Sequence, residues 1–159
     1  KENNIITVTQ ENKDLGFVGT PTDINSSFLN ETVKSNEVPV IAPLGLDKNN
    51  QTFNINADTA AGSIAIELKA RRLMIISDVE GVLDSEKKLI PEIDSQKAKK
   101  LIDQAVISGG MIPKINNCLN VACNGVKGVV IIDGRKNHSL LFELLSDKGS
   151  GTLIREWKI

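Results

Sequence analysis

Short apolar runs without polar alternation are the feature of this chain that most restricts its fold. The segments 38–42 (VPVIA), 72–77 (RLMIIS) and 129–133 (VVIID) are of this kind. A strand with one wetted face alternates apolar and polar residues, so an unbroken apolar run reads as a strand covered on both faces. Between the runs the period changes to that of a helix. Ala61, Ile64, Ala65 and Leu68 fall on one face of a helix of about three turns. Ala98, Leu101, Ile102 and Ala105 form the apolar face of a second helix, with Ser95 placed to cap it. A third runs from about Pro113 to Cys123 and stops at Asn124-Gly125, a sound C-terminal signal. The segment 138–146 (HSLLFELLS) reads as a short helix, and 151–157 (GTLIREW) as a final strand. Buried strands alternating with helices give an α/β chain. The expectation is a three-layer αβα sandwich with a mostly parallel sheet, forming a single domain over residues 1–159.

The remaining segments are weaker. IITVT, a polar stretch ENKD and LGFVG read as a hairpin. Residues 26–36 place Phe28, Leu29, Thr32 and Val33 on one helical face, and GLDKNNQTF reads as a loop or hairpin tip.

Composition removes several functional classes. With 19 Lys+Arg against 20 Asp+Glu, the chain lacks the basic excess that drives nucleic-acid or membrane-surface binding. At 40% hydrophobic it is too apolar for disorder. The apolar runs are too short to cross a bilayer, no signal-peptide core is visible in KENNIITVTQ, and two Cys make no disulfide framework. A cytoplasmic protein is expected. There is no P-loop and no GxGxxG. His138 is the one histidine, so a multi-histidine zinc site is excluded, and no protein-held metal is expected.

In a parallel α/β sheet, ligands bind beyond the carboxyl ends of the strands. Four motifs sit at such ends or open helices. NINAD places Asn54, Asn56 and Asp58 before a helix, where free N–H groups suit an anion and where Asn and Asp also serve as plain caps. SDVEGVL, from Ser77 to Leu83, ends a strand with an Asp followed by Gly; it fits a nucleotide-lining loop or an ordinary turn. GGMIPK brings Gly109, Gly110 and Pro113 ahead of Lys114, whose ammonium either reaches a phosphate or is simply solvated. IIDGRKNHSLLFELLSDKGSGTLI carries Arg135, His138, Glu143, Gly149 and Gly151 around a Leu-rich helix.

Taken in order, NINAD, SDVEGVL, GGMIPK and IIDGRxxHSLLFEL resemble the amino-acid kinase family, and within it the N-acetylglutamate kinases. LGFVGTPTDIN and VPVIAPLGLD are similar to further segments of those enzymes, so the resemblance covers nearly all of the chain from Leu15. Relatives of that kind are about twice as long, and the chain resembles their carboxyl, ATP-binding half. The family's glycine-rich loop with its lysine, and its substrate-binding Gly-Gly and Arg, have no match here.

The resemblance implies transfer of the γ-phosphoryl group of ATP to the side-chain carboxylate of N-acetyl-L-glutamate, a step of arginine biosynthesis. By that likeness Lys114 stabilises charge on the transferring group and Asp58 organises the catalytic lysine. Asn54, and Asn56 beside it, hold the substrate. Asp78, Val79, Glu80, Gly81, Val82 and Leu83, with Ser108 nearby, line the ATP site, and Mg²⁺ arrives bridging the ATP phosphates. His138, Glu143, Gly149 and Gly151 are implied as a site for arginine acting as feedback inhibitor, and the intact enzyme as a homo-oligomer. Other readings are a different amino-acid kinase (aspartate, uridylate or glutamate 5-kinase type) and a non-catalytic nucleotide-binding module.

Overall fold

The computed structural model describes residues 4–156. The chain divides into two compact units, one ending at Lys69 and the other beginning at Ala70. Each has its own four-stranded sheet.

The first unit starts with β1 (Ile6–Gln10) and β2 (Gly19–Ile24), the expected antiparallel hairpin, joined through a single 3-10 turn. Helix α1 (Ser26–Lys34) follows, capped by the Asn25 side chain, which accepts the Phe28 N–H. Strands β3 (Leu44–Leu46) and β4 (Thr52–Asn54) form a second hairpin. The Asp47 carboxylate ties its tip by accepting the N–H groups of Asn49 and Gln51. The sheet order is β2-β1-β3-β4. Helix α2 (Ala57–Glu67) packs along β2. Ile6, Val8, Leu29, Phe53 and Ile55 make the core.

The run 38–42 departs from expectation. It is no strand, and Val38 and Val40 are among the most exposed apolar residues of the molecule. Pro39 lies inside this stretch and Pro43 directly follows it; each lacks an N–H and disfavours ladder pairing, which outweighs the apolar composition.

The second unit contains β5 (Leu73–Ser77), β6 (Glu92–Ile93), α3 (Ser95–Asp103), α4 (Met111–Cys123), β7 (Val129–Asp133), α5 (Ser139–Leu145) and β8 (Thr152–Ile154). Its sheet order is β5-β7-β8-β6. β7 is buried at all five positions, with α4 and α5 packed on it, as an unbroken apolar strand requires. The Asp94 side chain, accepting the Lys97 N–H at 2.7 Å, caps α3; Ser95 is the first helical residue.

The α/β class and the layered build hold, with sheets that are mixed. β1–β3, β5–β7 and β6–β8 are parallel, whereas β1–β2, β3–β4 and β7–β8 are antiparallel. The connections 11–18 and 47–51 are too short for a parallel crossover, which needs a dozen or more residues, so β1–β2 and β3–β4 are hairpins. Among the described residues no helix is long and apolar enough to cross a membrane.

Candidate nucleotide site

β5 and β7 run parallel with Ser77 opposite Asp133, so both carboxyl ends reach the same edge of the sheet. The loop after β5 and the turn after β7 therefore meet there. Gly134 donates its N–H to the Ser77 carbonyl at 2.8 Å. A Cβ on Gly134 would stand 2.6 Å from the Ile76 side chain, so only glycine allows the two ends to close this tightly.

A cavity of about 490 Å³ opens at that edge. Asp78 through Leu83 and Ser108, the residues expected at an ATP site, all line it, together with Asp84, Val106, Ile107, Met111 and Arg135. Two contacts hold the loop. The fully buried Thr152 hydroxyl accepts the Val82 N–H at 2.8 Å and donates to the Ile90 carbonyl at 2.7 Å. At the rim, Lys136 pairs with Glu80 at 2.9 Å. Gly81 has φ +136, and a Cβ there would lie 2.6 Å from the Thr152 hydroxyl oxygen, so the backbone turns where a side chain cannot fit.

The turn after β7 contains a feature that the sequence did not disclose. Asp133 is buried, and its carboxylate accepts from the Nε and Nη2 atoms of Arg135 at 2.9 and 3.0 Å. It also accepts the Arg135 backbone N–H at 2.9 Å. These bonds from Arg135 hold the Asp133 carboxyl down at about 2. They also raise the guanidinium pKa. The signal was present as Asp-Gly-Arg after a buried strand, but spacing alone does not reveal that the arginine folds back on the aspartate.

Lys114 lies in the first turn of α4, half-buried, on the helix that begins at the cavity residue Met111, just past Ser108. In the first unit, Asn54 ends β4 with an exposed side chain, and its N–H donates to the Phe17 carbonyl. Asn56 caps α2, its side-chain oxygen accepting the Thr59 N–H at 3.1 Å. Asp58 is half-buried in the first turn of α2.

The four residues assigned to an arginine site are arranged around α5. His138 precedes the helix, exposed, with φ 62 and no side-chain cap bond; its carbonyl accepts the Phe142 N–H. Glu143 is 8% exposed and fully engaged: one oxygen meets Arg72 at 3.4 Å and the other accepts the Ser150 N–H at 2.8 Å. Arg72 is thus a guanidinium supplied by the chain itself. Gly149 has φ +66, and a Cβ there would approach the Glu143 carboxylate to 2.8 Å. A Cβ on Gly151 would collide with the Ile131 carbonyl oxygen, which accounts for that glycine by packing alone. Among the described residues no three His, Cys, Asp or Glu side chains gather as a metal site.

Comparison with known proteins places these observations in a family. The sequence model of the amino acid kinase family matches residues 2–133. The acetylglutamate kinase of Pelagibacter ubique is 86% identical over 156 residues, covering 98% of this chain and 54% of that protein. That of Bradyrhizobium sp. strain ORS 278 is 52% identical over 143 residues, covering 90% of this chain and 48% of that protein. The chain spans about half the length of the curated relatives it matches. Among solved structures, N-acetylglutamate synthase from Neisseria gonorrhoeae superposes with a TM-score of 0.88 at 24% identity, over 98% of this chain and 37% of that one. At that identity the likeness speaks for the fold alone.

Proposed function

The chain belongs to the amino acid kinase family, and on that premise we propose that it carries the nucleotide-binding part, the carboxyl half, of a kinase that phosphorylates the side-chain carboxylate of N-acetyl-L-glutamate with ATP. The observation that carries the reading is the cavity at the joined ends of β5 and β7. Asp78 to Leu83 and Ser108, which the family resemblance implies as ATP-lining, border it, and α4 begins beside it with Lys114 in the first turn.

The residues divide the work by chemistry. Val79, Val82, Leu83, Ile107 and Met111 supply apolar walls for a flat base. Ser108 and the first turn of α4 lie where a polyphosphate is favoured, since a helix N-terminus offers free N–H groups and partial positive charge. Lys114 adds a full charge there. A carboxylate acceptor is already a nucleophile and needs no general base. Catalysis is therefore alignment of two anions plus neutralisation of charge spreading over the transferred group. Mg²⁺, entering with ATP, would supply further neutralisation of the phosphates. Asn54 and Asn56 are assigned to the acyl-amino-acid substrate, and Asp58 to the catalytic machinery. Arginine as an inhibitor at His138, Glu143, Gly149 and Gly151, and a homo-oligomeric enzyme, belong to the same proposal. Its support is that Glu143 already accepts a guanidinium in this chain.

Calorimetric titration of the chain with ATP and Mg²⁺ tests the nucleotide assignment. Saturable binding that Lys114→Ala weakens, and that uridine or aspartate does not compete away, is the expected result. Absence of any ATP binding removes it.

A further inference from the structure

The reaction as proposed gives no task to Arg135, although it lines the cavity and is held by three hydrogen bonds to Asp133. Asp133 takes the Nε–H and one Nη2–H of the guanidinium. A guanidinium has five N–H donors and no acceptor, so three remain for another partner. Their carrier is 65% exposed while its anchoring carboxylate is 4% exposed, the arrangement of a group pinned from behind and offered forward. Gly134 and the Ser77 carbonyl fix the turn, so the guanidinium's position is set by the sheet and not by a free loop.

What such a group meets depends on its surroundings. Asp78, Glu80 and Asp84 line the same cavity, and Lys136 is already paired with Glu80. Three carboxylates around one guanidinium make a poor seat for a polyphosphate. The free N–H groups of the guanidinium suit a neutral ligand that presents lone pairs, and the apolar walls beside them suit a flat ring. A purine satisfies both demands. Its ring nitrogens are acceptors, and its face can stack on a planar guanidinium.

We propose that Arg135 is a nucleotide-positioning residue that contacts the purine base, its guanidinium aimed into the cavity by Asp133. The inference rests on the nucleotide-site reading above. It places the base at the β7 end of the cavity and leaves the phosphates to the α4 end.

The test separates base from phosphate. In the full-length protein and in Arg135→Met, one measures ATP affinity and the inhibition constants of adenosine and of inorganic tripolyphosphate against ATP. The expected result is that Arg135→Met weakens ATP and adenosine by the same factor, roughly tenfold or more for a lost charge-assisted hydrogen bond. Tripolyphosphate should stay within twofold. A general structural loss would move all three together and overturns the proposal. So does weakened tripolyphosphate with unchanged adenosine, or a parent protein that binds tripolyphosphate but not adenosine. If Arg135→Met loses its folded near-ultraviolet spectrum, Arg135→Lys decides instead. It keeps a charge beside Asp133 but not the planar fork, and adenosine must weaken at least threefold with tripolyphosphate unchanged. A parent that binds neither ATP nor adenosine overturns the nucleotide-site reading itself. A parent that binds ATP, with adenosine insensitive to Arg135, overturns only this inference.

Discussion

Thr152 offers the sharpest test of how the candidate loop is held. Its hydroxyl is fully buried and makes two bonds, from the Val82 N–H and to the Ile90 carbonyl. Thr152→Val keeps the shape and removes both. Each backbone group so stranded costs about 1–3 kcal/mol in desolvation that is no longer repaid. The new methyl returns about 0.8 kcal/mol of apolar burial. The net loss is about 1–5 kcal/mol, a fall in Tm of about 2–20 °C for a chain of this size. Thr152→Ser keeps the hydroxyl and loses one methyl, at about 1 kcal/mol. Urea unfolding of the parent and both variants measures these differences. Hydrogen exchange at the Val82 amide reports the loop directly and should lose protection only in Thr152→Val. The reasoning is refuted if Thr152→Val lies within 0.5 kcal/mol of the parent, or if Thr152→Ser costs more than Thr152→Val.

Further outcomes follow from the other contacts. In the full-length enzyme Lys114→Ala should lower kcat by roughly 10²–10³, the scale of one preorganised charge stabiliser; steady-state kinetics within twofold of the parent would make Lys114 a surface lysine. Asp133 is held at about 2, below its ordinary value near 3.8, chiefly by the Arg135 hydrogen bonds. Its folded-state pKa is depressed, so its contribution to stability is complete above about pH 4 and is lost as the pH falls through 2. Thermal melts of the parent should steepen in that window, and Asp133→Asn should flatten the slope. Gly151→Ala forces a Cβ onto the Ile131 carbonyl and should destabilise by about 3 kcal/mol or more, read as loss of soluble folded protein or a large drop in Tm.

Much of this was legible from local pattern. The runs 73–77 and 129–133 are strands because they are apolar on both faces, and α4 ends at Asn124-Gly125 as its stop signal requires. At the cavity loop the strand-end Asp-x-x-Gly fits a nucleotide-lining loop or an ordinary turn, and only the family resemblance pointed to ATP. The errors arose where a local rule competed with another. Apolar content argued for a strand at 38–42, and two prolines overruled it. Ser95 and Asp94 are both good caps, and the carboxylate won. Contacts between distant residues left no local trace: Thr152 with Val82, and Arg72 with Glu143, are about 70 positions apart. The Asp133–Arg135 fork is local, yet it depends on a backbone reversal at Gly134 that no periodicity encodes.

Which acceptor takes the phosphoryl group decides the proposed function. The full-length protein should be supplied with ATP, Mg²⁺ and, in separate reactions, N-acetyl-L-glutamate, L-glutamate, L-aspartate and UMP. ADP release is followed, and any acyl phosphate is trapped as its hydroxamate. The account predicts ADP release and hydroxamate in equal amounts with N-acetyl-L-glutamate, and background with the other three. Turnover on another acceptor in its place, or ATP binding with no acceptor phosphorylated, would contradict it.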